Sequence, residues 1–361
     1  MKIGFFSPTI NKTGGGELVT LNMIKALEKK SHKIVVYTAE KINYTRIQNF
    51  LGCELRIDEE VIIPPNNFDP YAVENIYPNL FKSFLFKQKC NLLIDTFSNA
   101  LFPWTDALYF QGSAKIDRLP KGFKGLICAP YKAFLTRSLK EIKSKEKTLM
   151  TCSKFVAKEI NALTGSYVHV LYPPISDYFK IQDNTFSKSD YVVTVTRIAQ
   201  DKNPESIPFI AKLVPDNIPF AIIGSCRTPS ELENLRNLQK TICNLGLEKR
   251  VKLLLNISRE KQREVLQKAK VYLHPFVPYE AFGISVAEAM SAGCVPIVPD
   301  TGGLNEIVPM QLRYHSLEEP ASLVKESLAN WTPSKMEYSI EIADKFSTKK
   351  FSDNFLRLMN L

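Results

Sequence analysis

Short, strand-length runs of apolar residues alternate with amphipathic stretches along the chain. In the first half they are IGFF at 3–6, KIVVY at 33–37, NLLI at 91–94, ALYF at 107–110, LMTC at 149–152 and VHVLY at 168–172. A second series follows with YVVTVT at 191–196, FAIIG at 220–224, VKLLL at 251–255, VYLHPF at 271–276 and VPIVP at 295–299. Many are β-branched and nearly continuous in apolar character, which is how strands of a parallel sheet covered on both faces read. The stretches between them have helical period and readable starts: in Thr228-Pro-Ser-Glu231 a capping Thr, a first-turn Pro and a Glu at the third position agree. Strand and helix alternating in two series predicts an α/β protein with two doubly wound parallel-sheet domains. Diproline at Pro173-Pro174 and then KIQDNTFSKSD interrupt both periodicities. The reading is therefore a domain over 1–174, a linker over 175–189, a second domain over 190–345 and a closing amphipathic helix over 346–361. There is no internal repeat and no low-complexity tract.

Composition agrees. With 361 residues, 45% hydrophobic and 23% charged, the chain has an ordinary globular balance and room for two cores. The opening MKIGFFSP carries no basic-then-apolar signal segment, and no stretch approaches the ~18 apolar residues of a membrane span, so a cytosolic protein is expected. The 7 cysteines are odd in number and never paired as CxxC, which points to neither a disulfide framework nor a zinc site. Charge changes the picture more. The formal net charge is +10, and between Lys115 and Lys147 ten Lys/Arg face only three acids, interleaved with Phe123, Leu126, Ile127, Tyr131, Phe134 and Leu135. Such a stretch suits peripheral contact with an anionic membrane face; it equally fits a solvated helix face whose apolar side lies on the core. No nucleic-acid-binding motif accompanies it, so nucleic acid is not an expected partner.

Parallel sheets bind ligands beyond the carboxyl ends of their strands, so those ends carry the candidate chemistry. After the first strand, Gly14, Gly15 and Gly16 open a helix with bare backbone amides that can approach a phosphate or sugar, or form a flexible turn. The pattern is neither a Walker loop nor a GxGxxG fingerprint. The first strand of the second series ends at Arg197, with Lys202 just ahead of Asn203-Pro204: two cations suited to a diphosphate, or two ordinary surface charges. Gly224-Ser225 is a further tight turn where backbone can meet a nucleotide. Asp95 and Asn99 sit at a strand end, where capping is the ordinary role. Glu280 precedes Phe282-Gly283-Ile284, which begin a helix, and Glu288 lies farther along it; Ser285 and Glu288 also fit a capping box. Paired carboxylates flanking one scissile bond would make a glycosidase, but the cations would then have no purpose.

Glu280-x7-Glu288 within YEAFGISVAEAMSAGCVPIV, the following DTGGLNEIV, the TRIAQDKNP segment and the N-terminal GGGE together resemble the retaining family 4 glycosyltransferases of GT-B fold. The correspondence covers nearly the whole chain. It implies two Rossmann-like domains facing across a cleft, and a UDP- or GDP-sugar as donor substrate with no cofactor and no metal. Arg197 and Lys202 would neutralise the donor diphosphate as it binds and as it leaves, Glu288 would hold the ribose hydroxyls, and Glu280 would contact a sugar hydroxyl. The amides of Phe282, Gly283 and Ile284 would lie near sugar and phosphate, and those of Gly15 and Gly16 would close the other side. Many relatives carry a first-domain histidine near the donor sugar; none of His32, His169, His274 and His315 is there. The strand ALYFQGS offers Gln111 instead, which can exchange hydrogen bonds but carries no proton, and is a candidate sugar or acceptor contact. The DTFSNALFPWTDALYF region followed by the basic stretch further resembles the subgroup that extends lipid-linked oligosaccharides, including the eukaryotic Alg11-type mannosyltransferases. That implies transfer of a hexose, mannose or glucose, to a hydroxyl of a polyprenyl-linked glycan. A GT-B nucleotide-sugar epimerase and an inactive nucleotide-sugar-binding subunit are the alternatives, and donor turnover separates them.

Overall fold

The computed structural model describes residues 1–28, 30–62, 76–99, 102–113, 123–142, 147–181 and 188–361. They form two compact units: unit 1 joins Met1–Pro174 to Thr348–Leu361, and unit 2 is Ile175–Ser347.

Unit 1 is built on strands β1 (Lys2–Phe6), β2 (Lys33–Thr38), β3 (Glu59–Ile62), β4 (Leu92–Asp95), β5 (Ala107–Phe110), β6 (Thr148–Thr151) and β7 (His169–Val170). They pair in the order β3-β2-β1-β4-β5-β6-β7, every pair parallel. Helices α1 (Gly15–Leu27), α2 (Tyr44–Leu51), α3 (Ile76–Lys87), α4 (Phe123–Ile142) and α5 (Lys154–Thr164) connect them. The α5 boundaries are local: Ser153 caps by accepting from the Val156 amide, and Gly165 stops the helix in the left-handed region. Phe6, Tyr37, Phe86 and Phe97 pack ring on ring in the core. β3 escapes the hydrophobic pattern because it is an edge strand reading EEVI, with only Val61 buried.

Unit 2 contains β8 (Ser189–Arg197), β9 (Phe220–Ser225), β10 (Val251–Leu255), β11 (Ala269–Leu273), β12 (Val295–Pro299) and β13 (Arg313–Tyr314), in the order β10-β9-β8-β11-β12-β13, all parallel. Its helices are α6 (Ser206–Leu213), α7 (Pro229–Asn244), α8 (Arg259–Lys268), α9 (Ile284–Ser291), α10 (Glu319–Ala329) and α11 (Pro333–Asp344). The capping box expected at Thr228 is present: Thr228 Oγ1 accepts from the Glu231 amide at 3.2 Å, and Glu231 accepts from the Thr228 amide at 3.0 Å. The final helix, α12 (Thr348–Met359), counts with unit 1, where it packs on α1 and buries Phe351 and Phe355.

The stretch 175–189 is not a free linker where it is described. Ile175 bridges to Ser347, Phe179 is fully buried, and Lys188 Nζ donates to the carbonyls of Gln267, Ala269 and Ala292 at 2.8–3.0 Å. Polar composition misled there, because the lysine is spent on backbone acceptors inside unit 2.

In both sheets the strand order reverses once, between β1 and β4 and between β8 and β11. Such reversals open the crevice in which doubly wound sheets bind ligands.

Candidate active site

At the β8/β11 reversal of unit 2, two loops meet. The one after β8 makes a 3-10 turn, Gln200–Lys202, and ends at Asn203 with φ 41°. Asn203 Nδ2 donates to the Phe276 carbonyl at 2.9 Å, and Ser206 Oγ accepts from the Phe276 amide at 3.0 Å. These bonds lace the turn to the loop after β11. Lys202 Nζ consequently reaches Glu280 Oε2 at 2.7 Å. The Glu280 side chain is 14% exposed, and burial alone would push its pKa up. His274 and Lys202 outweigh burial and hold it at about 2. Lys202 is the direct partner; His274 Nε2 stands at 3.7 Å, too far for a hydrogen bond.

The other side of this loop is set by glycines. The Gly303 amide donates to the Glu280 carbonyl at 2.9 Å, and Thr301 Oγ1 to that of Pro278 at 2.8 Å. A Cβ on Gly302 or Gly303 would lie 2.1 Å from the carbonyl oxygen of Glu280 or Ala281, so only glycine lets the DTGG segment lie flush against the loop. Gly283 then turns the chain into α9 at φ 96°, with no side-chain cap on the helix among the described residues. The first amides of α9, from Ile284 onward, are thus placed at the same sheet end as Glu280.

Glu288 faces into unit 2 and does not fold back on Ser285; Ser285 Oγ instead lies 3.0 Å from Tyr272 Oη. The capping-box reading fails because Ser285 is already inside the helix, whose cap is Gly283. The Glu288 carboxylate is 3.3 Å from Arg259 Nη2, and the Arg259 guanidinium stacks over Phe179 at 4.7 Å. Burial raises the Glu288 pKa, with Arg259 opposing. Arg197, half exposed, lies 3.1 Å from Asp201 and 3.9 Å from Glu231. The structure therefore brings Lys202 and Glu280 together and gives Arg197 and Glu288 other ionic partners. Gly224 has a packing reason: its carbonyl accepts from the Asn256 amide at 2.8 Å, and a Cβ there would lie 2.5 Å from Ile198 Cδ1.

Sequence reasoning missed Arg259 and His274. Arg259 opens α8 after the Ser258 cap in a stretch dense with other charges, and its partner is 29 residues away. His274 carries no sequence signal of its own, because its neighbours Tyr272 and Glu280 meet it only in the fold.

In unit 1 the β1/β4 reversal gathers the glycine turn, Gln111 and their supports. The Glu17 side chain accepts from the Gly14 amide at 3.0 Å and from Thr9 Oγ1 at 2.6 Å, leaving the start of α1 without a side-chain cap on its inner amides. Thr20 Oγ1 donates to Thr96 Oγ1 at 2.7 Å. Gln111 Nε2 donates to the Thr96 carbonyl, and the Gln111 amide to Asn99 Oδ1 at 2.8 Å. A Cβ on Gly16 would meet Gln111 Oε1 at 2.0 Å, so Gly16 and Gln111 are in direct contact. Asp95 caps the turn that follows it, accepting from the Phe97 and Ser98 amides at 2.9 Å.

Much of the basic stretch, 114–122 and 143–146, lies outside the described residues. Within the rest, Lys132 and Arg137 are exposed on α4. Lys147 turns inward, donating to the carbonyls of Phe102, Pro103 and Thr105 at 2.6–2.9 Å. Tyr131 is buried and Phe134 packs near Trp104, so part of the apolar interleaving serves unit 1 itself.

Residues 177–322 match the family described as Glycosyl transferases group 1. The matched residues lie within unit 2, so similarity to the group 1 glycosyl transferases is carried by that domain. The Homo sapiens GDP-Man:Man(3)GlcNAc(2)-PP-Dol alpha-1,2-mannosyltransferase is 25% identical, over 98% of this chain and 84% of that protein. Its Dictyostelium discoideum counterpart is 20% identical over 99% and 84%. Among solved structures, Anabaena Alr3699/HepE in complex with UDP-glucose superposes with a TM-score of 0.75 at 16% identity, over 100% of this chain and 99% of that one. This likeness shows that the chain has the GT-B fold, with two parallel-sheet Rossmann-like domains.

Proposed function

We propose that this glycosyltransferase moves a hexose, mannose first among the candidates, from a nucleoside diphosphate sugar to a hydroxyl of a polyprenyl-linked glycan with retention of anomeric configuration. The observation that carries the reading is the Lys202–Glu280 pair at the strand reversal of unit 2, beside the uncapped start of α9. Nucleoside diphosphate sugars react by losing the diphosphate, and charge grows on its oxygens as the glycosidic bond breaks. Fixed cations and helix-end amides lower that barrier most, because they need no reorganisation at the moment of reaction. In this reading Lys202 and Arg197 exchange their carboxylates for the diphosphate, Glu280 passes to a sugar hydroxyl, and Glu288 takes the ribose hydroxyls. The amides of Phe282, Gly283 and Ile284 border the sugar and phosphate, and Gly15, Gly16 and Gln111 of unit 1 are assigned to sugar or acceptor contact. Positive charge comes from side chains and no metal is required; turnover persisting in a chelating buffer is the expected result. GDP-mannose is favoured over UDP-sugars because the relatives matched along nearly the full chain are named for it.

The lipid-linked acceptor has physical support in unit 1. No helix among the described residues is long and apolar enough to cross a membrane. Yet α3 exposes Tyr77, Phe81, Phe84 and Leu85, with Phe81 at 62%, and its neighbour α4 exposes Lys132 and Arg137. Aromatic side chains for the interface and cations for anionic head groups are what a peripheral protein uses.

The test is a thermal shift of the full chain with GDP, UDP and their sugars, on wild type and on the Arg197→Ala/Lys202→Ala double variant. Stabilisation by GDP and GDP-mannose that vanishes in the variant is expected; no stabilisation by any nucleotide at millimolar concentration overturns the donor site. Product from GDP-mannose and a polyprenyl-diphosphate oligosaccharide, with its anomeric centre read by NMR, decides retention. Vesicles of phosphatidylserine should co-sediment the protein, and Phe81→Glu should abolish this; equal sedimentation of both removes α3 from the membrane face.

A further inference from the structure

His274 follows β11 directly and its backbone is pinned on both sides. Its amide donates to the Ile297 carbonyl at 2.9 Å, and its carbonyl accepts from Tyr314 Oη at 2.7 Å. The residue is 3% exposed. Ring atom Nδ1 lies 3.2 Å from Tyr272 Oη, which also stands 3.2 Å from the Val195 carbonyl and 3.0 Å from Ser285 Oγ. Nε2 is buried without a hydrogen-bond partner among the described residues, and Glu280 Oε2 is 3.7 Å away. An unpaired buried polar atom is costly to keep. Here it stands beside a carboxylate whose short bond goes to Lys202.

We infer that His274 is the positioning residue of Glu280: when Lys202 turns to the donor diphosphate, the Glu280 carboxylate moves onto His274 Nε2, which then holds it against the donor sugar. This rests on the reading that Lys202 meets a diphosphate. The movement needed is about 0.8 Å, from the present separation to an ordinary hydrogen bond. The tautomer is coupled to the Tyr272 hydroxyl. The Tyr272 hydroxyl proton has the Val195 carbonyl and Nδ1 in reach; directed to Nδ1, it leaves the ring hydrogen on Nε2, the form a carboxylate favours. The unpaired Nε2 is thus a partner kept in reserve. Without it, drawing Lys202 away would strand a buried carboxylate, and donor binding would be penalised where the sugar must be oriented.

Nitrogen-15 histidine NMR of the full chain reads this directly, with GDP and UDP as probes and the resonance assigned by its absence in His274→Gln. On saturation with the nucleotide that binds, the His274 Nε2 signals should move to hydrogen-bonded values. A bound nucleotide with an unmoved His274 overturns the inference and leaves the donor site standing; if neither nucleotide binds, the diphosphate reading falls and this one with it. Kinetics give the second reading. His274→Phe should lower kcat by at least about tenfold and weaken binding of the bare nucleotide severalfold, and His274→Gln, which keeps an N–H donor, should recover most of both. Wild-type kcat in His274→Phe overturns the proposal, as does a kcat in His274→Gln as low as in His274→Phe. Should the Phe variant not fold, the NMR shift and the Gln variant decide.

Discussion

The two glutamates of unit 2 have opposite electrostatic histories, and this separates them by experiment. Glu280 is held at about 2, below the ~4.3 of a glutamate in an unfolded chain. Its ionised form therefore adds stability above that unfolded value, and the contribution is lost as pH falls from about 5 toward 2. The thermal midpoint of the wild type should drop more steeply over that window than that of Glu280→Gln; parallel curves would detach Glu280 from its cationic neighbours. Glu288 has the other sign. Burial raises its pKa, so the ionised form costs stability at neutral pH and the cost fades as pH falls through the raised value. Glu288→Gln at pH ~7 should melt at or above the wild-type temperature while losing donor turnover by at least about tenfold, the mark of a group kept for function at the expense of stability. A lowered midpoint with turnover intact would make Glu288 a structural partner of Arg259. The glutamates and Lys202 were legible in the sequence because each sits within a few residues of a strand or helix boundary that the hydrophobic pattern marks. Arg259 and His274 were not, because what gives them meaning is a partner on another element, and a single sequence does not show which loops a sheet reversal brings together.

At the scale of elements, the long apolar runs predicted the strands well, since a strand buried on both faces has no polar alternation to confuse with a loop. The edge strands β3 and β13 went unread: each has one buried residue and charged neighbours, so neither period nor composition distinguishes it. The DTGG segment shows what a loop can carry that a strand cannot. Its two glycines have no catalytic group, yet they bring the Thr301 hydroxyl and the Gly303 amide onto the backbone of 278–281. Gly303→Ala would place a methyl 2.1 Å from the Ala281 carbonyl oxygen, and backbone on both sides leaves nothing flexible to yield. The loop carrying Glu280 must shift, and a misplacement of about 1 Å costs on the order of 10²-fold in rate. We expect Gly303→Ala to fold, to bind bare nucleotide and to lose at least about tenfold in kcat; wild-type kcat would show that the loop's position does not matter to the chemistry.

At the scale of the molecule, the chain builds unit 2 from one uninterrupted stretch and unit 1 from two, because α12 returns to pack on α1. The asymmetry has an energetic consequence. Unit 2 closes its own core, whereas unit 1 depends on Phe351 and Phe355 from the last helix, both nearly inaccessible. Truncating a buried Phe to Ala costs about 3–5 kcal/mol, a large part of the 5–15 kcal/mol that stabilises a typical domain. Phe355→Ala should therefore lower the melting of unit 1 and leave that of unit 2 nearly unchanged, resolving one calorimetric transition into two. Added GDP should raise only the upper transition, since the groups assigned to the nucleotide all lie in unit 2. A single transition that moves as a whole in Phe355→Ala would mean the two units unfold together, and a lower transition that rises with GDP would place nucleotide-binding groups in unit 1.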